Sequence, residues 1–249
     1  MARSGTTFPS TLVLFGVTGD LAARKIIPSL WRLHQRGSLP QLWSCIGVSR
    51  RDWTDEQLRS YIKALLPTGS AVDKFLDHFF YHRADFGRLA DYKKLTERLG
   101  LFDSGWRVCA NKLFYLAVPP ELYEPMLRHL HRSRLTSPCG PDEGWTRVIV
   151  EKPFGRDQST SRRLEGLLNK LFREEQIYRI DHYLGKEILQ NILTFRFANR
   201  IWQDSWSARS IERIDIKVWE KGLVEPGRAD SYDSVGALKD VGQNHLLHP

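Results

Sequence analysis

The 249-residue chain is 41% hydrophobic and 27% charged, with a net charge of +8, which leaves room for one large domain or two smaller ones. The basic balance suits phosphorylated ligands; its Lys and Arg residues are scattered through amphipathic segments and form no block, so nucleic-acid binding has only net charge behind it. Residues 1–10 lack a signal-peptide pattern, no apolar run approaches the ~20 residues of a membrane span, and Cys45, Cys109 and Cys139 match no metal motif, so the expectation is a cytoplasmic protein with reduced thiols, no metal and no membrane segment.

Residues 11–17 (TLVLFGV) form a continuous apolar run that predicts a strand buried on both faces. A helical pattern follows over 20–35, with Gly37 as its stop. Residues 43–49 predict a second strand, and Thr54-Asp55-Glu56-Gln57 reads as a capping box opening a helix to about residue 66. Further helices are expected at 70–79 and 90–99, a buried strand at 112–118, a helix opened by Pro119-Pro120 and reaching about residue 132, a strand at 147–151 and a helix at 157–172. Strands alternating with helices argue for an α/β fold with a doubly wound parallel sheet. After about Asp181 the pattern changes to a helix at 184–193 and an alternating strand at 211–220, the start of an α+β domain. The expected division is 10–180 and 181–249.

Six segments carry chemistry. Gly16-Val17-Thr18-Gly19-Asp20-Leu21-Ala22 lies between the first strand and first helix. Its glycines let backbone amides approach a pyrophosphate, the helix N-terminus adds partial positive charge, Thr18 can donate to phosphate and Asp20 can cap the helix. The G-x-x-G spacing is shorter than the full G-x-G-x-x-G, so a plain strand–turn–helix is the alternative. The second strand ends in Ser49-Arg50-Arg51, where NAD-specific sites place an acid. A guanidinium there can grip a 2′-phosphate; the alternative is a solvated pair, the preferred reading for Arg51. Ala117-Val118-Pro119-Pro120 either lines the cofactor cleft at the carboxyl edge of the sheet or only starts a helix. Lys152, in Glu151-Lys152-Pro153-Phe154-Gly155, is placed either to contact a ligand or as an exposed loop residue.

The last two segments bear on substrate. Asp181-His182-Tyr183-Leu184-Gly185-Lys186-Glu187 packs a carboxylate, an imidazole, a phenol and an ammonium into one short run. A core would not hold so many polar groups without partners, and the set points to an anionic substrate with an acid/base pair. His182 and Lys186 share a face if helical. Asp240-Val241-Gly242-Gln243-Asn244-His245 adds a second imidazole.

From Thr11 to about Leu247 these motifs resemble, in order, those of the glucose-6-phosphate dehydrogenase family. The resemblance implies a Rossmann-type doubly wound sheet followed by the beginning of a large antiparallel-sheet α+β domain. It implies an NADP-dependent enzyme that oxidises glucose 6-phosphate to 6-phosphogluconolactone in the pentose phosphate pathway. It maps cofactor contacts onto Gly16, Thr18, Gly19, Asp20, Leu21, Lys25, Arg50, Pro119 and Lys152. Substrate contacts map onto Lys152, His182, Tyr183, Lys186, Glu220 and Asp240. His245 becomes the general base, paired with Asp181, which fixes its tautomer. The partner is a sugar phosphate, and the full-length form is expected to be a homodimer or tetramer. The family continues well beyond residue 249, so the chain is expected to be a truncated or partial reading frame. The alternative function is a catalytically silent dinucleotide-binding fragment.

Overall fold

Six short strands alternate with helices through the first 180 residues: β1 (Ser10–Phe15), β2 (Trp43–Ser49), β3 (Phe79–Arg83), β4 (Asn111–Leu116), β5 (Thr146–Glu151) and β6 (Ile177–Ile180). The computed structural model describes residues 8–140, 143–152, 154–155, 157–181, 187–203, 205–215, 217, 236, 238 and 242. All neighbouring strands run parallel in the order β3-β2-β1-β4-β5-β6. The order reverses at β1, which lies between β2 and β4 and so creates a crevice at its carboxyl end.

The helices cover both faces. On one side α1 (Ile27–Gln35), α2 (Asp55–Ala64) and α3 (Ser70–Leu76) pack Ile27, Trp31, Leu58, Ile62, Val72 and Phe75 against Leu14 and Cys45. On the other, α4 (Leu89–Trp106), α5 (Tyr123–Arg132) and α6 (Gln158–Leu171) pack Tyr92, Leu95, Met126, Leu127 and Leu168 against Val13, Phe15, Phe114 and Val148. Adjacent residues of β1 therefore serve opposite cores, and every residue of β2 is buried. This explains why β1 reads as an unbroken apolar run and not as an alternation.

The capping box at α2 forms as the sequence predicts: the Gln57 amide donates to Thr54 Oγ1 at 3.3 Å and the Thr54 amide to Gln57 Oε1 at 2.8 Å. Gly37 ends the first helix with φ 62°. Three features differ from expectation. The first helix is not uniform: Ala22–Ile26 is a π-helical turn, closed by the Ile27 amide bonding to Ala22 O. Pro28 explains it, since its ring excludes an ordinary turn over the Arg24 carbonyl. β3 occupies the end of the segment expected as a helix to residue 79, and β6 was not anticipated. Finally, Cys109 and Cys139 form a disulfide with Cα atoms 6.4 Å apart, so only Cys45 is a free thiol. The two residues precede β4 and β5, and because those strands are parallel neighbours their starts meet at one edge of the sheet.

The chain divides into two compact units, Met1–Ile180 and Asp181–Pro249. The second contains α7 (Glu187–Ala198) and α8 (Arg200–Gln203). The strand expected at 211–220 does not form over its described part, since residues 211–215 and 217 take no strand conformation. Among the described residues no helix is long and apolar enough to cross a membrane.

Candidate functional site

The crevice is built by the first turn of the chain. Gly16 follows β1 with φ 77°, a conformation natural only to glycine. Its amide donates to Val48 O of β2 at 2.9 Å, and the Gly19 amide returns to Gly16 O at 2.9 Å. A Cβ on Gly16 would lie 2.2 Å from Ala117 O at the end of β4. The bare glycine backbone thus lets the turn nest between β2 and β4. The run from Ala22 to Gln35 starts immediately beyond, its N-terminal end adjoining the turn, an arrangement that favours anionic groups.

Thr18 is half-buried in this turn; Leu21 and Lys25 are exposed at the start of the helix. Asp20 does not cap that helix. Its carboxylate pairs with Arg24 Nε at 2.6 Å, one helical turn on, and no side-chain hydrogen bond caps the Ala22–Ile26 turn. Four-residue spacing on a helix favours this ion pair over capping. Arg50 is exposed at the carboxyl end of β2 and makes no ion pair or hydrogen bond among the described residues. Arg51 is turned aside, its guanidinium 5.0 Å from the centre of the Trp53 ring. Pro119 is exposed just past β4, with φ −54° and ψ 141°. The turn, Arg50 and Pro119 therefore occupy the carboxyl ends of three adjacent strands. A glycine turn and an adjoining helix N-terminus at the switch point of the sheet together suit the phosphates of a dinucleotide.

Lys152 is half-buried one residue beyond β5. The backbone beside it is fixed by contacts that the motif alone does not reveal. Tyr123 of α5 donates its hydroxyl to Glu151 O at 3.3 Å and accepts from the Glu151 amide at 3.2 Å. Tyr115 of β4 donates to the Glu151 carboxylate. Burial pushes the Tyr123 phenol up to about 12. Burial first, and then the bond to Glu151, raises Tyr115 further. Both phenols therefore stay protonated and serve as donors at neutral pH. The sequence signal available was the apolar run ending in a glutamate; the pairing came from the β4–β5 register. Asp181 is half-buried directly after β6. His182, Tyr183, Lys186, Glu220, Asp240 and His245 lie outside the described residues.

A six-stranded parallel sheet of this order, with a glycine turn after its first strand, defines a dinucleotide-binding Rossmann domain. Comparison with known proteins narrows the class. Residues 13–191 match the family described as "Glucose-6-phosphate dehydrogenase, NAD binding domain", and residues 193–248 match "Glucose-6-phosphate dehydrogenase, C-terminal domain". The chain belongs to the glucose-6-phosphate dehydrogenase family. It is 39% identical over 240 residues to glucose-6-phosphate 1-dehydrogenase of Bacillus subtilis, covering 96% of this chain and 48% of that protein. It is 39% identical over 255 residues to the enzyme of the same name from Ceratitis capitata, covering 99% and 47%. Among solved structures, a glucose-6-phosphate dehydrogenase in complex with its substrate glucose-6-phosphate aligns with TM-score 0.83 and 33% identity, over 98% of this chain and 51% of that one. Glucose-6-phosphate 1-dehydrogenase from Mycobacterium avium aligns with TM-score 0.77 and 32% identity, over 96% and 50%. The chain spans about half the length of the curated relatives it matches.

Proposed function

We propose that this protein is an NADP-dependent glucose-6-phosphate dehydrogenase, its first unit holding the cofactor. The observation that carries the cofactor reading is the exposed Arg50 at the end of β2, beside the Gly16–Gly19 turn, where an NAD-specific site would carry an acid. Gly16, Thr18, Gly19, Asp20, Leu21, Lys25, Pro119 and Lys152 complete the cofactor set, with Asp20 acting through its ion pair to Arg24. When bound, the nicotinamide supplies a hydride acceptor.

The chain's own residues do the rest. Lys152, His182, Tyr183 and Lys186 hold the sugar phosphate; ammonium and imidazole match its charge, and the phenol donates a hydrogen bond. Glu220 and Asp240 accept from sugar hydroxyls. His245 takes the proton from the C1 hydroxyl as hydride departs from C1, and Asp181 holds the imidazole in the competent tautomer. General-base assistance of this kind contributes about 100- to 10,000-fold in rate. A sugar-phosphate partner and a cytoplasmic location belong to the same proposal.

The test is reduction of NADP⁺ by purified residues 1–249 with glucose 6-phosphate, followed by absorbance, beside His245→Asn. Turnover that the substitution removes supports the proposal. Saturable NADP⁺ binding without turnover would instead support a cofactor-binding unit that is catalytically silent. Absence of both would refute the cofactor reading.

A further inference from the structure

Beneath the turn that carries Arg50 lies Tyr81 of β3, 3% exposed and in register with Gly47 of β2. Its hydroxyl is 2.7 Å from Ser49 Oγ, 2.6 Å from Arg51 O and 3.2 Å from Ser49 O. A phenol has one proton, so it donates to the carbonyl side and accepts from the Ser49 hydroxyl. The Arg51 amide closes the network on Ser49 Oγ at 3.4 Å. The residues before and after Arg50 are thus tied to one buried oxygen on the neighbouring strand. The surrounding groups are occupied as well: Arg51 lies over Trp53, Arg83 pairs with Asp52 at 3.0 Å, and the Ala84 amide donates to Ser49 O at 2.9 Å. Burial holds the Tyr81 phenol above its ordinary value, so it remains a donor at neutral pH.

We infer that Tyr81 is a positioning residue for cofactor selection: its hydroxyl clamps the chain on both sides of Arg50 and so presents that guanidinium to the 2′-phosphate of the nucleotide. The inference rests on the reading of Arg50 as the 2′-phosphate contact. Tyr81 itself is buried and acts only through the turn. A guanidinium whose backbone is already fixed loses less freedom on binding, and that advantage exists only for a nucleotide carrying the 2′-phosphate. Tyr81 therefore affects the ratio of the NADP⁺ and NAD⁺ affinities, which general damage to the fold would leave unchanged.

The experiment is calorimetric titration of residues 1–249 with NADP⁺ and with NAD⁺, for the unsubstituted chain, Tyr81→Phe, Ser49→Ala and Arg50→Ala. Tyr81→Phe keeps the ring that packs in the core and deletes only the hydroxyl. The expected result is a rise of about three- to tenfold in Kd for NADP⁺, the span of one lost hydrogen bond, with NAD⁺ binding unchanged. Equal weakening of both nucleotides, or of neither, overturns the inference. Should Tyr81→Phe fail to fold, Ser49→Ala removes the other side of the clamp and is read by the same ratio. Arg50→Ala separates the two claims: loss of NADP⁺ preference there but not in Tyr81→Phe sinks the clamp and keeps the reading. Unchanged preference in Arg50→Ala sinks the reading and the clamp with it.

Discussion

Gly16→Ala should destabilise the first unit well beyond an ordinary glycine substitution. Two effects add. At φ 77° an L-residue occupies the left-handed region, which costs roughly 1–2 kcal/mol. The new Cβ would also lie 2.2 Å from Ala117 O and 3.1 Å from Val118 Cγ1. The first partner is a backbone oxygen at the end of β4 and cannot rotate away, so the strand end must shift; overpacking of this kind costs roughly 1–3 kcal/mol. The sum is about 2–5 kcal/mol, and at about 2–4 °C per kcal/mol for a domain of this size the melting midpoint should fall clearly. Gly37→Ala supplies the control, for its φ is 62° but a Cβ there meets nothing within 4 Å. Urea unfolding of both variants, followed by circular dichroism, separates strain from contact. If Gly16→Ala is no less stable than Gly37→Ala, the close approach of the turn to β4 is wrong.

The remaining predictions concern packing and pH. Lys112 is 8% exposed, and its ammonium lies 2.7 Å from Asp103 Oδ2 and 3.3 Å from Ala110 O; Asp103→Ala should cost about 3 kcal/mol by leaving that charge unpaired, and adding Lys112→Met should recover much of it in denaturant titration. Thr54→Ala should cost about 1 kcal/mol through loss of the α2 capping box, visible as a lowered unfolding midpoint. Asp157 is held down to about 2, chiefly by the Thr160 amide and then by the Ser159 and Thr160 hydroxyls. A folded value below the unfolded one stabilises at higher pH and is lost as pH falls. Protection of the Thr160 amide, which donates to Asp157 Oδ1 at 2.8 Å, should therefore fade from about pH 4, near the ordinary Asp value, down to about 2. Hydrogen exchange checks this, and Asp157→Asn should abolish the pH dependence.

The sheet was legible where burial writes itself into the chain. β1, β2 and β4 are covered on both faces and read as apolar runs bounded by turn residues, and β5 buries Val148 and Val150 on one face within the run Val148-Ile149-Val150. β3 was hidden because only Asp77 and His78 separate it from α3, with no Gly or Pro between. β6 is four residues long and merges with the polar motif that follows. The glycine turn and Arg50 were readable because each depends on neighbours in sequence. The Tyr81 clamp was not, since its partners lie 30 and 32 residues away and only the β2–β3 register brings them together. The Cys109–Cys139 pair and the Tyr115–Glu151 contact were missed for the same reason, being products of the parallel β4–β5 alignment.

The crevice beside β1 is proposed to hold NADP. Equilibrium titration of residues 1–249 with NADP⁺, beside NAD⁺, tests it most directly. The expected result is saturable one-site binding of NADP⁺, at least about tenfold tighter than NAD⁺, a difference one charge-assisted phosphate contact can supply. Binding of NAD⁺ as tight as NADP⁺, or saturable binding of neither, would contradict it.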